Sequence, residues 1–276
     1  MSVSILVLTL NEEANLPGCL ESVAWADDIV VLDSFSTDRT VELAESLGAR
    51  IAQRRFDNWA SHQNWAMENI QFKHPWVFYI DADERMTPEL RKELEEIAND
   101  PDRREVAFYC GRKNFFMGKW IRHAMPPGLI MRFFRPDKIR FERLVNPTPV
   151  IDGEHGYLKN YFEHYNFSKG ITEWIEKHNK YSTMEAMEGI KLLKGELADQ
   201  PSLFSKDKSL RRKALKNLSF KMPFRPTLKF AYMYIFGRGF LDGAPGFAYC
   251  LLQAFYEYMI VLKMREILRR EKGLPI

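Results

Sequence analysis

The stretch Trp76-Val77-Phe78-Tyr79-Ile80, followed at once by Asp81-Ala82-Asp83-Glu84-Arg85, constrains this chain more than any other. An unbroken run of β-branched and aromatic residues predicts a strand buried on both faces, as at the centre of a parallel sheet. Open parallel sheets place ligands in the crevice beyond the carboxyl ends of their strands, so acids at that point face a site. Alternation along an extended chain predicts that Asp81 and Asp83 point the same way and share one hard cation. The cation expected is Mg2+ or Mn2+, held by one or two carboxylates and completed by phosphate oxygens of a diphosphate. The plainer reading is a solvated acidic turn introducing a helix at Thr87-Pro88-Glu89. A phosphatase of the Asp-x-Asp type is disfavoured, because Glu84-Arg85 stand where Gly and Thr are needed.

Upstream, the same pattern recurs. Val3 to Leu10 reads as a first strand ending in Asn11-Glu12-Glu13, and Asp28 to Asp33 as a second strand ending in an acid. Helices are expected over 15–23, through Leu47 with Thr37 or Asp38 as cap and Gly48 as stop, and over 57–70; Arg50 to Gln53 reads as a third strand. Strand and helix alternating at this spacing predict an α/β fold with right-handed crossovers, which brings the polar strand ends to one edge. Thr9, Asn11 and Glu12 are then candidates to line a base pocket, and Asp33 to accept from a base or ribose hydroxyl. Each is also an ordinary choice for a cap or turn. No Gly precedes Gly18, so the dinucleotide-binding fingerprint is missing, as is a phosphate loop with Gly-Lys-Ser/Thr.

A length of 276 residues suits one large core or a domain with an appendage. With 40 Lys and Arg against 37 Asp and Glu, the net charge of +3 gives no nucleic-acid signature, and no nucleic-acid partner is expected. Cys19, Cys110 and Cys250 are few and far apart, which argues for a reducing compartment. The apolar run beginning at Val3 lacks a cationic leader and reads as a strand, not a signal peptide.

Taken in order, Thr9-Leu10-Asn11-Glu12-Glu13, Val31-Leu32-Asp33-Ser34-Phe35-Ser36-Thr37-Asp38, His62-Gln63-Asn64 and Ile80-Asp81-Ala82-Asp83-Glu84 resemble the motifs of family-2 glycosyltransferases with the GT-A fold. The chain is similar to the bacterial branch that includes lipopolysaccharide-core and exopolysaccharide enzymes. The resemblance is dense over residues 1–100 and looser through Arg132-Phe133-Phe134-Arg135, His164-Tyr165, His178 to Ser182 and Arg238 to Gly243. It implies a nucleotide-diphosphate sugar donor, a UDP-sugar first of all, and inverting transfer to a lipid-linked or glycan acceptor hydroxyl. It further implies that Asp33 meets base or ribose, Asp81 the ribose or metal side and Asp83 the metal, with Asn64 and Ala82 in the donor site. A nucleotidyltransferase and a membrane scaffold that has lost its chemistry are the competing readings.

The general base is where the chain departs from the resemblance. Relatives carry Val-His-Glu where this chain reads Leu144-Val145-Asn146-Pro147, and neither Asn146 nor Pro147 accepts a proton usefully. Glu142 is the base expected in its place, with Asp152, Glu154 and His123 as further candidates. The basic, aromatic segment between Arg112 and Arg135 is expected to be a long loop forming the acceptor wall.

The expected organisation is a GT-A domain over 1–165, Rossmann-like with a mostly parallel sheet, and a helical region over 166–276. In the latter Ile171, Trp174, Ile175, His178 and Tyr181 recur at helical spacing. From Lys206 to Lys229 the chain is strongly basic with Asp207 its single acid, and aromatic-rich apolar runs follow at Phe230 to Phe236 and Phe247 to Leu262. Neither run makes a spanning helix. The pattern predicts peripheral attachment to an anionic membrane surface, on the cytoplasmic side where nucleotide sugars are found. The alternative is a helical hairpin with a solvated basic face.

Overall fold

The computed structural model describes residues 3–142, 147–195, 204, 208–220 and 222–276. The chain forms two compact units, Met1–Phe115 with Pro127–Ser168, and Phe116–Pro126 with Lys169–Ile276.

In the first unit β1 (Val3–Thr9), α1 (Leu16–Val23), β2 (Ile29–Asp33), α2 (Thr40–Ser46), β3 (Arg50–Gln53), α3 (Trp59–Asn69) and β4 (Trp76–Asp81) alternate as the periodicity predicts. Then come β5 (Glu84–Arg85), α4 (Pro88–Ala98) and β6 (Glu105–Phe116). A short β7 (Lys119–Trp120), which falls in the second unit's Phe116–Pro126 segment, precedes β8 (Leu129–Phe134), β9 (Ile139–Glu142), β10 (Thr148–Ile151) and β11 (Glu154–His164). The main sheet runs β3-β2-β1-β4-β8-β6-β11-β5. Its first four strands are parallel, β8 is antiparallel to both neighbours, and β11 is parallel to β6. Odd-numbered β1 residues Ile5 and Val7 pack with Phe78 and Ile80 beneath α1 and α4, while Leu6 and Leu8 pack with Tyr79 beneath α3.

Two expectations change here. The strand stops at Asp81, and Ala82-Asp83 form a turn, so Asp81 and Asp83 are not alternate residues of one extended strand. The reason is β5, which must reverse direction to pair antiparallel with β11. The segment 112–135 is also not one long loop: its ends are strand, because β6 runs to Phe116 and β8 begins at Leu129.

The central strands are pinned at their amino ends by one buried acid. Asp28 accepts from Ser4 Oγ (2.5 Å), the Lys73 backbone N–H (2.8 Å) and Arg50 Nη2 (2.7 Å). It thereby ties β1, β3 and the entry to β4 to the start of β2. Burial alone would raise its carboxyl, but these hydrogen bonds hold it below the ordinary value. With the amino ends fixed, register sets Thr9 beside Asp33, Asp33 beside Gln53, and Leu8 beside Asp81 at the carboxyl edge.

The second unit contains α5 (Gly170–Leu193), α6 (Lys208–Ser219), α7 (Arg225–Ala231), a π-helical turn Tyr232–Phe236, a 3-10 turn Gly239–Asp242 and α8 (Gly243–Glu271). Helices α5 and α8 meet through Ala186, Ile190, Ile260 and Met264. Lys263 of α8 donates to Asn179 O (2.6 Å), Ser182 Oγ (2.8 Å) and Thr183 Oγ1 (2.8 Å). The residues that recur at helical spacing do lie on one helix, with Trp174 buried and Ile171, Ile175 and Tyr181 exposed. Gly246 lies on the Gly239 carbonyl, where an added Cβ would come within 2.3 Å, so the turn before α8 closes only with glycine. Among the described residues no helix is long and apolar enough to cross a membrane.

Asp28→Ala should lower the unfolding free energy by about 2–3 kcal/mol, since the donors it leaves are partly buried. Because the folded carboxyl is depressed, the parent's margin over the variant should be full above the ordinary carboxylate range and shrink as pH falls below it. Urea unfolding of both proteins at several pH values checks this.

Candidate active site

The carboxyl edge of the sheet collects three acidic side chains within four residues, and their mutual repulsion is met from β8. Arg132, 4% exposed, places Nη2 at 2.6 Å from Asp81 Oδ2 and 2.7 Å from Glu84 Oε1. Its guanidinium lies 4.1 Å from the centroid of the Tyr79 ring, a cation–π contact in a desolvated setting. Burial would lower the Arg132 pKa, yet Asp81 and Glu84 raise it well above its ordinary value. The Asp81 carboxylate also accepts from Tyr79 OH (2.6 Å). Glu84, 1% exposed, accepts from the Asp81 backbone N–H (2.9 Å). Burial pushes its carboxyl well up, and Arg132 pulls against that. Arg85 closes the turn from below by donating to Ala82 O (2.9 Å), Glu84 O (2.7 Å) and Asn15 O (3.0 Å). Gly18 makes room for that guanidinium, because a Cβ there would lie 2.7 Å from Arg85 Nε.

Asp83 projects from this turn with its side chain 30% exposed, and its oxygen lies 3.4 Å from His164 Nε2. Pairing of β5 with β11 sets His164 opposite Glu84, which is why the two approach. His164 Nδ1 is 2.9 Å from Asn114 Oδ1. With the amide oxygen as acceptor, Nδ1 donates to Asn114, and Nε2 is the ring nitrogen that faces Asp83. Ligand atoms of Asp83, Glu84 and His164 lie within 4.8 Å of one another, a donor set of carboxylates and one imidazole that could hold a divalent cation. An imidazole among oxygens favours Mn2+ over the harder Mg2+. The His164 and Asn114 contributions were not legible as local patterns. A His at a strand's end, in a pair already singled out, was the one available signal.

The other candidates fall into distinct settings. Asp33 is fully buried and accepts from Thr9 Oγ1 (3.1 Å), the Ser36 backbone N–H (2.9 Å), Ser36 Oγ and Gln53 Nε2 (3.3 Å). Asn11, at φ 55°, accepts from the Thr37 N–H (2.8 Å) and donates its own N–H to Ser36 Oγ (2.8 Å). The Glu12 N–H donates to Thr40 Oγ1 (2.7 Å). Thr9, Asn11, Glu12 and Asp33 therefore lace the β1 and β2 loops into one rim. His62, buried beside it, accepts from Arg54 Nη1 at Nδ1 (3.0 Å), which leaves Nε2 to donate toward Ser34 Oγ (3.4 Å). Burial, then Arg54, holds its pKa below the ordinary value.

Asn64 clamps β9, accepting from the Phe141 N–H (2.7 Å) and donating to Phe141 O (2.9 Å). Glu142 is the next residue, exposed and paired with Arg140 (2.7 Å). Asp152 pairs with Lys138 (3.1 Å), Glu154 is exposed at the start of β11, and His123 Nδ1 lies 2.8 Å from Asp242 in the second unit. Leu144, Val145 and Asn146, where the usual base was sought, lie outside the described residues.

Residues 4–165 match the model of glycosyl transferase family 2. The lipopolysaccharide core biosynthesis glycosyltransferase LpsC of Rhizobium meliloti (strain 1021) is 26% identical over 276 residues, covering 96% of this chain and 92% of that protein. An uncharacterized glycosyltransferase of Rickettsia typhi is 25% identical, covering 96% and 87%. The mannosyltransferase PcManGT from Pyrobaculum calidifontis, solved in complex with GDP-Man and Mn2+, superposes with a TM-score of 0.52 at 14% identity, covering 95% and 86%.

Asn114→Ala should leave the fold intact but free the His164 ring to turn, weakening Mn2+ binding about 10–100-fold, as loss of an outer hydrogen bond to a metal-ligating histidine does. Titration of the purified protein with Mn2+, followed by electron paramagnetic resonance, measures it.

Proposed function

The chain belongs to glycosyl transferase family 2, and on that premise we propose that it transfers a sugar, with inversion, from a nucleotide-diphosphate donor to a hydroxyl of a lipid-linked or polysaccharide acceptor. Its fold is the GT-A fold of nucleotide-sugar transferases. The observation that carries the reading is Asp83 facing an imidazole whose Nδ1 donates to Asn114, at the sheet edge where a diphosphate would lie. The name of the LpsC relative supports an acceptor in cell-envelope glycan. The proposed donor is a UDP-sugar; GDP-mannose, which the archaeal mannosyltransferase holds, is its nearest competitor.

In this reading Asp83 and His164 hold the divalent cation, with Asp81 and Glu84 behind them. The cation supplies charge neutralisation to the departing diphosphate. The β1 and β2 rim, organised by the enclosed Asp33, receives the nucleoside. Glu142 is the base, stationed by the Asn64 clamp on its neighbour Phe141, and it takes the acceptor proton after letting go of Arg140. Inversion requires base and leaving group on opposite faces of the sugar. The acceptor's lipid places the work at the inner face of the cell membrane, where the basic stretch after Lys206 is drawn to anionic headgroups.

Incubated with a panel of nucleotide sugars and Mn2+, the protein should slowly release nucleoside diphosphate from one donor; release of pyrophosphate would instead identify a nucleotidyltransferase. Asp83→Ala should reduce release by at least about a hundredfold, as should chelation of the metal, and only chelation should be reversed by added Mn2+. Glu142→Gln should lower transfer to acceptor by about 10²–10⁴-fold while leaving donor affinity unchanged, which calorimetry with nucleoside diphosphate checks.

A further inference from the structure

Among the described residues the second unit carries an exposed aromatic face. Tyr232 is 66%, Ile235 57% and Phe236 78% exposed, on the turn that extends α7. Their neighbour Tyr234 joins the turn to α8: ring centroids run from Phe240 to Tyr234 (6.3 Å), Tyr234 to Phe247 (5.5 Å) and Phe247 to Phe230 (5.8 Å). From Phe247 the face continues along α8 as the exposed residues Leu251, Phe255, Tyr258 and Leu262, spaced by three and four. At a rise of 1.5 Å per residue that stripe is about 22 Å long. It gives way to exposed Arg265 and Arg269.

We propose that this face inserts into the interfacial layer of an anionic lipid bilayer, with α8 lying along the surface. Charge chooses the occupant. From Lys208 to Leu241 the chain holds nine Lys and Arg and no Asp or Glu. Arg225 is bound to Glu257 (2.7 Å), whereas Arg211 and Arg238 are exposed, the latter beside Phe236 in the same turn region. A large apolar, aromatic surface bordered by cations matches the level where acyl chains meet anionic headgroups. A symmetric second copy would set the same cationic stretch against itself, which opposes association. A spanning orientation is not available to α8, because no described helix is apolar enough.

The inference rests on the membrane-surface part of the proposed function and adds which side chains leave water. Adsorption by the basic stretch alone would bury none of them.

The full-length protein is floated with vesicles of phosphatidylcholine alone or mixed with phosphatidylglycerol, beside the double variant Ile235→Ser/Phe236→Ser. The parent should float with the anionic vesicles and stay partly bound in high salt, and the variant's partition should fall at least about tenfold, given the apolar area removed. In a separate Phe236→Trp protein, the emission of this new indole should shift to the blue when anionic vesicles are added. The proposal is overturned if the parent binds neither vesicle, or if the variant binds like the parent and salt removes both. It is equally overturned if sedimentation shows a dimer that the double variant splits. Nucleoside diphosphate release from a soluble donor should be the same in parent and variant, so loss of the transferase reading would register there, independently of flotation.

Discussion

Arg132 stands with one guanidinium nitrogen between the carboxylates of Asp81 and Glu84, and the acidic end of β4 depends on that position. Two carboxylates about 4 Å apart repel by about 4 kcal/mol at the effective dielectric of a partly buried site. Desolvation adds to this for Glu84, whose carboxyl is enclosed by protein. A surface lysine would not answer the need, since its charge would stay hydrated. The delocalised guanidinium tolerates burial and is further held by the Tyr79 ring. Arg132 balances Asp81 and Glu84, Arg85 takes up two carbonyls of the turn, and Asp83 is carried on that turn toward His164.

That arrangement explains why so small an element as β5 matters. Two residues of antiparallel pairing with β11 reverse the chain after Asp83 and fix His164 opposite Glu84. Pairing of β11 with β6 puts Asn114 opposite the same histidine. The imidazole is thus oriented by one strand and delivered to the acid by another. Preorganisation of this kind matters because a cation site loses affinity when its ligands must be gathered from several conformations.

The parallel half of the fold was legible because each of its elements carries its own period: buried runs for β1, β2 and β4, helical stretches between them, and the Thr87-Pro88-Glu89 start of α4 just beyond. Asp81 and Asp83 draw notice in the sequence because they follow directly on such a run. What was not legible was set by pairings distant in sequence. Nothing around Arg132 distinguishes it from Arg135, and only the crossing of β8 beside β4 shows which of them meets Asp81. Asp33 read as a direct ligand, yet its carboxylate is surrounded by four protein donors, so its visible work is to hold the β1 and β2 loops together. The apolar spacing of α5 gave the helix, but which of its residues are covered is again set at a distance, by packing with α8 through Ala186 and Ile190, while Ile171 and Ile175 stay exposed.

Net charge concealed the second unit's character in the same way that local pattern concealed the first unit's ion cluster. A total of +3 is a sum over a chain whose acids and bases are segregated. Exposed charges act over a Debye length of about 8 Å at physiological ionic strength, so remote carboxylates do little to cancel a cationic stretch. A surface approaching α7 meets the field of Arg238 and Lys229, the acid next in sequence, Asp242, being buried, and beside it the rings of Tyr232 and Phe236. Attraction and apolar burial then act at one place. Electrostatics alone would hold a protein above the headgroups, and apolar contact alone would give no preference among surfaces; under the membrane-surface proposal it is the pair that would select an anionic bilayer.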